Sequence, residues 1–151
     1  MRRLIRISVL ALFLSVPAAV FAQAHNVAVG IILGQPTGIS AKLWLDRTSA
    51  FDLAAAWQFL PAGSLYVHAD YLYHIYHVFP IKEGELPLYF GIGGSATIQS
   101  VPTIGLRIPF GIEYLFPKAP LDVFLEIGIG ISLFPATAVQ GSGGVGIRYE
   151  F

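Results

Sequence analysis

Leu121-Asp122-Val123-Phe124-Leu125-Glu126-Ile127-Gly128-Ile129-Gly130-Ile131-Ser132-Leu133 is the stretch on which the fold turns. Every second residue, from Leu121 through Val123, Leu125, Ile127, Ile129 and Ile131 to Leu133, is aliphatic. Between them stand Asp122, Phe124, Glu126, Gly128, Gly130 and Ser132. Successive side chains of an extended chain point to opposite faces, so this period makes a β-strand with one unbroken greasy face. Residues 143–151 repeat the scheme, with Val145, Ile147, Tyr149 and Phe151 on one face and Gly144, Gly146, Arg148 and Glu150 on the other. A face that mixes charge with glycine, backed by a continuous apolar face, fits a barrel whose apolar side meets lipid and whose polar side is its interior.

Working outward, turn residues mark six more strands. The eight expected spans are 26–33, 39–45, 50–60, 65–79, 88–98, 104–115, 121–133 and 143–151. They are separated by glycine- and proline-bearing clusters such as Gly34-Gln35-Pro36-Thr37-Gly38 and Pro61-Ala62-Gly63-Ser64, by Asp46-Arg47-Thr48-Ser49, and by residues 80–87, 100–103, 117–120 and 135–141, where turn chemistry is concentrated. About ten residues is the length of a tilted membrane-crossing strand. The chain is 55% hydrophobic, with a mean hydropathy of +0.67. Yet its longest charge-free stretches past the N-terminus, 86–106 and 127–147, are studded with glycine and broken by Pro87, Pro102 and Pro135. Lipid admits helices and closed barrels only, so a barrel is the remaining solution.

The expected fold class is therefore all-β, an eight-stranded antiparallel up-and-down transmembrane barrel occupying residues 25–151 and following a cleaved signal peptide at residues 1–24. Arg2, Arg3 and Arg6 precede an apolar run at 7–16, and Ala22-Gln23-Ala24 offers cleavage after Ala22 or Ala24. The apolar run falls short of the ~20 residues a spanning helix needs, and Pro17 interrupts it. Without that segment six Lys and Arg face nine Asp and Glu, a formal charge of −3, which excludes the basic patch of a nucleic-acid binder. Cysteine is absent, so disulfides and thiolate metal sites are excluded.

The charges test the inside-out assignment. Lys42, Asp52, Asp70, Arg107, Glu113, Asp122, Glu126, Arg148 and Glu150 all alternate onto the face opposite the aliphatic one, while Asp46, Arg47, Lys82, Glu83, Glu85 and Lys118 fall in turns. A soluble barrel would place its charges outside and its aliphatic residues inside. The expected interior polar network comprises Lys42, Asp70, Arg107, Glu113, Glu126, Arg148 and Glu150, because an unpaired buried charge costs several kcal/mol. Inward glycines, among them Gly30, Gly91, Gly93, Gly105, Gly111, Gly128, Gly130, Gly144 and Gly146, make room for inward Trp44, Tyr66, Tyr76, Tyr89 and Phe124. Outward Phe51, Tyr73, Phe90, Tyr114, Tyr149 and Phe151 thread to the end that carries the termini and read as an aromatic girdle. Phe110 also faces outward, and Trp57 and Phe59 mark the opposite edge.

The chain resembles the small eight-stranded outer-membrane barrels of the OmpA/OmpX type. Within them it is most similar to a family of compact barrels described from spirochaetes and other Gram-negative bacteria. The resemblance is carried by residues 30–38, 86–94 and 107–114, by Phe124-Leu125-Glu126-Ile127, and by Gly144-Val145-Gly146-Ile147-Arg148-Tyr149. It implies the barrel fold and residence in the cell outer membrane after export; no established activity comes with it, so it supplies no catalytic residue. The terminal Phe151 is similar to the C-terminal aromatic read by the outer-membrane insertion machinery. Outer-membrane lipids and that machinery are the expected partners, the chain is expected to be a monomer, and no cofactor is expected.

The candidate chemistry is sparse. Gly91-Ile92-Gly93-Gly94 and Gly143-Gly144-Val145-Gly146 sit within strands rather than between a strand and a helix, so they are not phosphate loops. His68, Asp70, His74 and His77 cluster in one strand, but His68 and His74 are about 20 Å apart at ~3.3 Å per residue, and His77 faces the other way, a poor arrangement for zinc. The expectation is that His68 and Asp70 join interior hydrogen bonding while His74 and His77 lie at the rim. The alternative to a structural barrel is an outer-membrane lipid-modifying enzyme, an acyl hydrolase or transferase, with His68 and Asp70 activating Ser40, Ser95 or Ser132. The chain lacks a His-x-Ser-Asn motif resembling the lipid A deacylases, and lacks the long loops and N-terminal helix of the acyltransferases. A passive pore is disfavoured because eight strands enclose room only for side chains. Adhesion or ligand binding at the surface is disfavoured by short, uncharged connections at 34–38, 61–64, 100–103 and 135–141.

Overall fold

The computed structural model describes residues 26–35, 37–58 and 63–151, so the expected signal peptide and Phe59 lie outside the described residues. The elements are β1 (Val27–Gln35), β2 (Gly38–Trp44), β3 (Ser49–Gln58), β4 (Ser64–Ile75), β5 (Leu88–Ile98), β6 (Thr103–Leu115), β7 (Leu121–Phe134) and β8 (Ala138–Glu150). Each pairs antiparallel with its neighbours in sequence, and β8 returns to pair with β1, closing an eight-stranded barrel. Closure leaves no strand edge unpaired, the condition for a sheet that lives without water on its outer face.

The alternation holds on every strand. Ile31, Ile39, Leu53, Tyr73, Ile92, Leu106, Ile129 and Val145, one from each of β1 to β8, stand on the outside and are exposed. The charged strand residues Lys42, Asp52, Asp70, Arg107, Glu113, Asp122, Glu126 and Arg148 are all buried inside. The outer aromatics form contacts across strands: Phe51 meets Tyr71 at 5.6 Å and Tyr73 meets Phe90 at 5.9 Å between ring centres. Tyr73, Phe90 and Phe110 are successive ladder partners across β4, β5 and β6. Tyr71, on the same outer face, extends the aromatic set beyond the residues expected.

Two boundaries differ from expectation by more than two residues. β4 stops at Ile75 rather than at 79, because the chain turns out of the ladder where His77 adopts φ 62°. β8 begins at Ala138 rather than at 143. Residues 140–142 are Gln-Gly-Ser, which reads as loop, but Ala138, Val139 and Gln140 pair with Ser132, Ile131 and Gly130 of β7. Ser132 holds that tight connection: its hydroxyl donates to the Ala136 carbonyl at 2.7 Å and accepts from the Ala138 amide at 3.0 Å. At the other end of the barrel, Asp46 accepts from the Thr48 amide at 2.7 Å, the Thr48 hydroxyl at 2.8 Å and the Ser49 amide at 2.9 Å. These donors, the Thr48 amide first, hold its carboxyl below the usual range.

The interior is packed in layers. Ile32, Leu72, Tyr89 and Phe124 form an apolar slab across the middle, two of them aliphatic residues facing inward. Glycine makes that slab possible. A Cβ at Gly111 would run into the Tyr89 ring and one at Gly146 into Phe124, so both rings lie flat over bare backbone. Pro109 faces inward from β6 opposite Gly91, and no pairing joins β5 to β6 between the Phe90–Phe110 and Gly93–Arg107 partners. That local gap accommodates the missing N–H of a proline in a sheet interior. Above and below the slab the barrel opens into separate cavities. One of about 350 Å³ is lined by Gln35, Tyr66, Ser95, Thr97, Gln99, Thr103, Arg107, Gln140 and Ser142 at the end opposite the termini. Another of about 390 Å³ is lined by Asn26, Trp44, Asp46, Arg47, Tyr76, Leu115 and Glu150 at the end that carries them.

Gly146→Val is expected to unseat Phe124 and cost about 1–3 kcal/mol, the usual range for overpacking. Combining it with Phe124→Leu should recover part of that loss in urea titrations of the detergent-folded protein. Equal midpoints for wild type and Gly146→Val would contradict the packing described.

Candidate functional site: the interior charge network

The strand alternation aims eight ionisable side chains at one another, and the ladder register decides which meet. Arg148 on β8 is the hub. Its Nη1 donates to Asp52 Oδ1 of β3 at 2.5 Å, its Nη2 to Glu113 Oε1 of β6 at 2.6 Å, and its Nε to Asp122 Oδ1 of β7 at 3.0 Å. Nη1 also reaches the Ser40 hydroxyl of β2 at 3.3 Å. The guanidinium lies 4.0 Å over the Phe124 ring, a cation–π contact on the apolar slab. Glu113 is shared: Lys42 Nζ donates to its two oxygens at 2.6 and 2.7 Å.

His74 belongs to this cluster and is buried, not at the rim as expected. Its Nε2 lies 3.1 Å from Lys42 Nζ and its Nδ1 lies 3.1 Å from the Thr48 carbonyl. Nε2 also lies 3.4 Å from Glu113 Oε2, but that contact lacks hydrogen-bond alignment; an ammonium has no lone pair, so Nε2 accepts from Lys42 and Nδ1–H donates to the carbonyl, the pattern of a neutral imidazole. Its ring also packs on Trp44, 4.5 Å between centres. His77 lies beyond the end of β4 and is exposed.

A second cluster sits nearer the opposite end. Arg107 of β6 donates through Nη2 to Glu126 of β7, and Tyr89 donates its hydroxyl to the other Glu126 oxygen at 2.9 Å. Arg107 Nε lies 3.3 Å from Asp70 Oδ2, and His68 Nδ1 lies 2.9 Å from the same oxygen. Neither contact has hydrogen-bond alignment, so both Asp70 oxygens, His68 Nδ1 and Arg107 Nε are buried with no hydrogen-bond partner.

Of the seven residues expected in the interior network, six are drawn into these clusters. Lys42, Glu113 and Arg148 fall in the first, and Asp70, Arg107 and Glu126 in the second. Glu150 stands apart, half-buried at the mouth of the terminal-end cavity, with no ion pair among the described residues. Asp52 and Asp122 are network members that were not expected to pair. Their alternation had marked them as inward, but only the register shows that Asp122 is the ladder partner of Arg148 and that Asp52 stands beside Lys42.

The serines considered for nucleophilic chemistry are placed as follows. Ser40 is engaged by Arg148, and Ser132 by the β7–β8 connection. Ser95 is the ladder partner of His68 and lines the 350 Å³ cavity, but no hydrogen bond joins the two side chains.

Breaking a buried pair by removing one partner strands the other charge, at about 3–5 kcal/mol. Arg148→Met would strand Asp52 and Asp122 and leave Glu113 to Lys42 alone, and we expect loss of at least that much stability or failure to fold. Lys118→Ala, which removes an exposed contact to Glu83 of 3.8 Å, should change stability by less than about 1 kcal/mol. Urea unfolding followed by band shift on cold gels measures both, and similar midpoints for the two variants would overturn the ranking.

No family model matches the chain, and no curated protein matches it in sequence. Two solved structures are similar to it. The structure of Neisserial surface protein A (NspA) aligns with a TM-score of 0.49 at 15% identity, over 83% of this chain and 94% of that one. The N-terminal β-barrel domain of OprF from Pseudomonas aeruginosa aligns with a TM-score of 0.62 at 15% identity, over 85% of this chain and 98% of that domain. The protein thus shares the eight-stranded barrel architecture of the OprF N-terminal domain from end to end of that domain.

Proposed function

We propose that this protein is a structural β-barrel of the Gram-negative outer membrane, exported by a signal peptide removed after Ala22 or Ala24. One observation carries the reading: all eight strands present exposed aliphatic or aromatic side chains outward, and every buried strand charge points in. A water-facing barrel with that outer surface would far exceed the few hundred Å² of contiguous apolar patch that soluble monomers tolerate. Lipid is the solvent that matches it. The cross-strand aromatic contacts supply amphipathic rings suited to a headgroup boundary. The partners in this reading are outer-membrane lipids and the insertion machinery, which would engage the C-terminal strand ending in Phe151. The chain acts as a monomer, without nucleic acid and without a catalytic role.

A lipid-acting hydrolase is the second reading, favoured by the juxtaposition of Ser95, His68 and Asp70 on adjacent strands. Two features weigh against it. Backbone N–H groups that could stabilise an oxyanion are engaged in the β-ladder around Ser95. The cavity beside Ser95 is lined by glutamine, serine, threonine and tyrosine, a surface unsuited to an acyl chain.

The protein should fractionate with outer membrane and migrate faster on gels unheated than boiled. Recovery of folded protein from a detergent-free soluble fraction would overturn the membrane reading. A fluorophosphonate probe should leave the folded protein unlabelled; labelling that Ser95→Ala abolishes would favour the hydrolase.

A further inference from the structure

The buried charges do not balance. Three cations, Lys42, Arg107 and Arg148, face five carboxylates, Asp52, Asp70, Glu113, Asp122 and Glu126, a formal excess of two negative charges. His74 is counted as neutral, because its two aligned contacts, to the Lys42 ammonium and to the Thr48 carbonyl, fit an imidazole that accepts at Nε2 and donates at Nδ1, while Glu113 lies 3.4 Å from Nε2 without that alignment. The excess divides evenly. In the first cluster Lys42 and Arg148 meet Asp52, Glu113 and Asp122, and in the second Arg107 meets Asp70 and Glu126. Each cluster is short by one positive charge.

The carboxylates of the two clusters meet on β3 and β4. Asp52 of the first and Asp70 of the second are direct ladder partners on β3 and β4, both aimed inward. Like charges directly opposite each other destabilise a sheet, and more so where water is excluded. His68 lies two residues from Asp70 on the same face, and a donor atom from each of Asp52, His68 and Asp70 falls within 4.8 Å of the others. A second observation marks this spot. His68 is 5% exposed and Asp70 1% exposed, yet His68 Nδ1 and both Asp70 oxygens lack a hydrogen-bond partner. Buried polar atoms left without partners need a physical explanation, and a bound ion supplies one.

We propose that a divalent transition-metal ion binds between Asp52, His68 and Asp70. A dication at this junction neutralises both clusters at once, which a single proton on His68 does not. One imidazole and two carboxylates form a donor set for Zn²⁺ and its first-row neighbours. Arg148 holds Oδ1 of Asp52 and Arg107 approaches Oδ2 of Asp70, but each guanidinium is shared with at least one further carboxylate, so the local field stays negative. Three protein ligands leave at least one coordination position for water. The entry route is the 350 Å³ cavity, whose lining includes Tyr66, with its ring 5.8 Å from His68, and Arg107. The site requires only the folded barrel and does not depend on which membrane holds it.

The test uses the folded protein in detergent, stripped with a chelator and dialysed. Co²⁺ titration should give visible d–d absorption saturating at one equivalent, and Zn²⁺ should displace it. His68→Gln and Asp70→Asn should weaken binding at least about tenfold, whereas His77→Gln, which removes an exposed imidazole, should leave it unchanged. His68→Gln alters no formal charge on a neutral ring, so it decides the matter if Asp70→Asn fails to show the folded gel mobility. Absence of saturable Co²⁺ or Zn²⁺ binding by the wild-type barrel would overturn the proposal and assign the charge balance to protons. Binding that survives His68→Gln but is lost in His77→Gln would overturn it in favour of a surface site.

Discussion

The interior of this barrel depends on one guanidinium. Arg148 joins carboxylates on β3, β6 and β7 and a hydroxyl on β2, so that a single side chain from β8 ties four other strands together across the lumen. Only a planar fork with several donors in fixed directions can serve partners on so many sides; a lysine ammonium would have to choose. Small residues flank it. Gly30 is the ladder partner of Arg148 on β1, and Gly146 lies two residues away on the same face. A side chain at Gly30 would collide with the backbone at residues 147 and 148.

An apolar exterior in lipid contributes less to the fold than the same residues would in a water-soluble core, because lipid tails are as apolar as leucine. Specificity must then come from the ladder and from what fills the barrel. Here the filling alternates in character: a polar cluster, the slab of Ile32, Leu72, Tyr89 and Phe124, and a second polar cluster that reaches the first past the slab at Asp52 and Asp70. The slab and the ion pairs support one another through shared side chains. Tyr89 packs in the slab and donates to Glu126, and Phe124 carries the Arg148 guanidinium on its face.

Much of this was legible in the sequence. The two-residue alternation of 121–133 and 143–151 determined face, fold and the inward set of charges, because a one-residue slip would move every charge into lipid. Pairing was not legible. Which carboxylate meets Arg148 is fixed by register, and register is set by turns; the β7–β8 turn is hidden because Gln140, Gly141 and Ser142 have the composition of a loop while occupying ladder positions. His74 stands one residue from the end of β4, a position that reads as rim, but Trp44, Tyr89 and Lys42 close over its ring there, contacts that come from other strands. Ile32 and Leu72 are not legible as interior residues, because aliphatic residues on an inward face blur the pattern rather than define it. The opposition of Asp52 and Asp70 likewise needed the β3–β4 register, since eighteen positions of chain separate residues that end up side by side.

The placement of Arg148 on the last strand also has a kinetic meaning. Its partners Asp122 and Glu113 lie on β7 and β6, within reach as soon as the C-terminal hairpins form. Asp52 and Ser40 lie on β3 and β2 and come within reach only after β8 meets β1, a junction that brings together residues as distant in the chain as Ile31 and Ile147. Long-range closure is the slow, entropically costly step of assembling a sheet. The same arginine therefore acts as a latch: half-engaged while the sheet is open, fully engaged only when its ends have joined, and drawn tight from inside where neither lipid nor solvent can pry it loose.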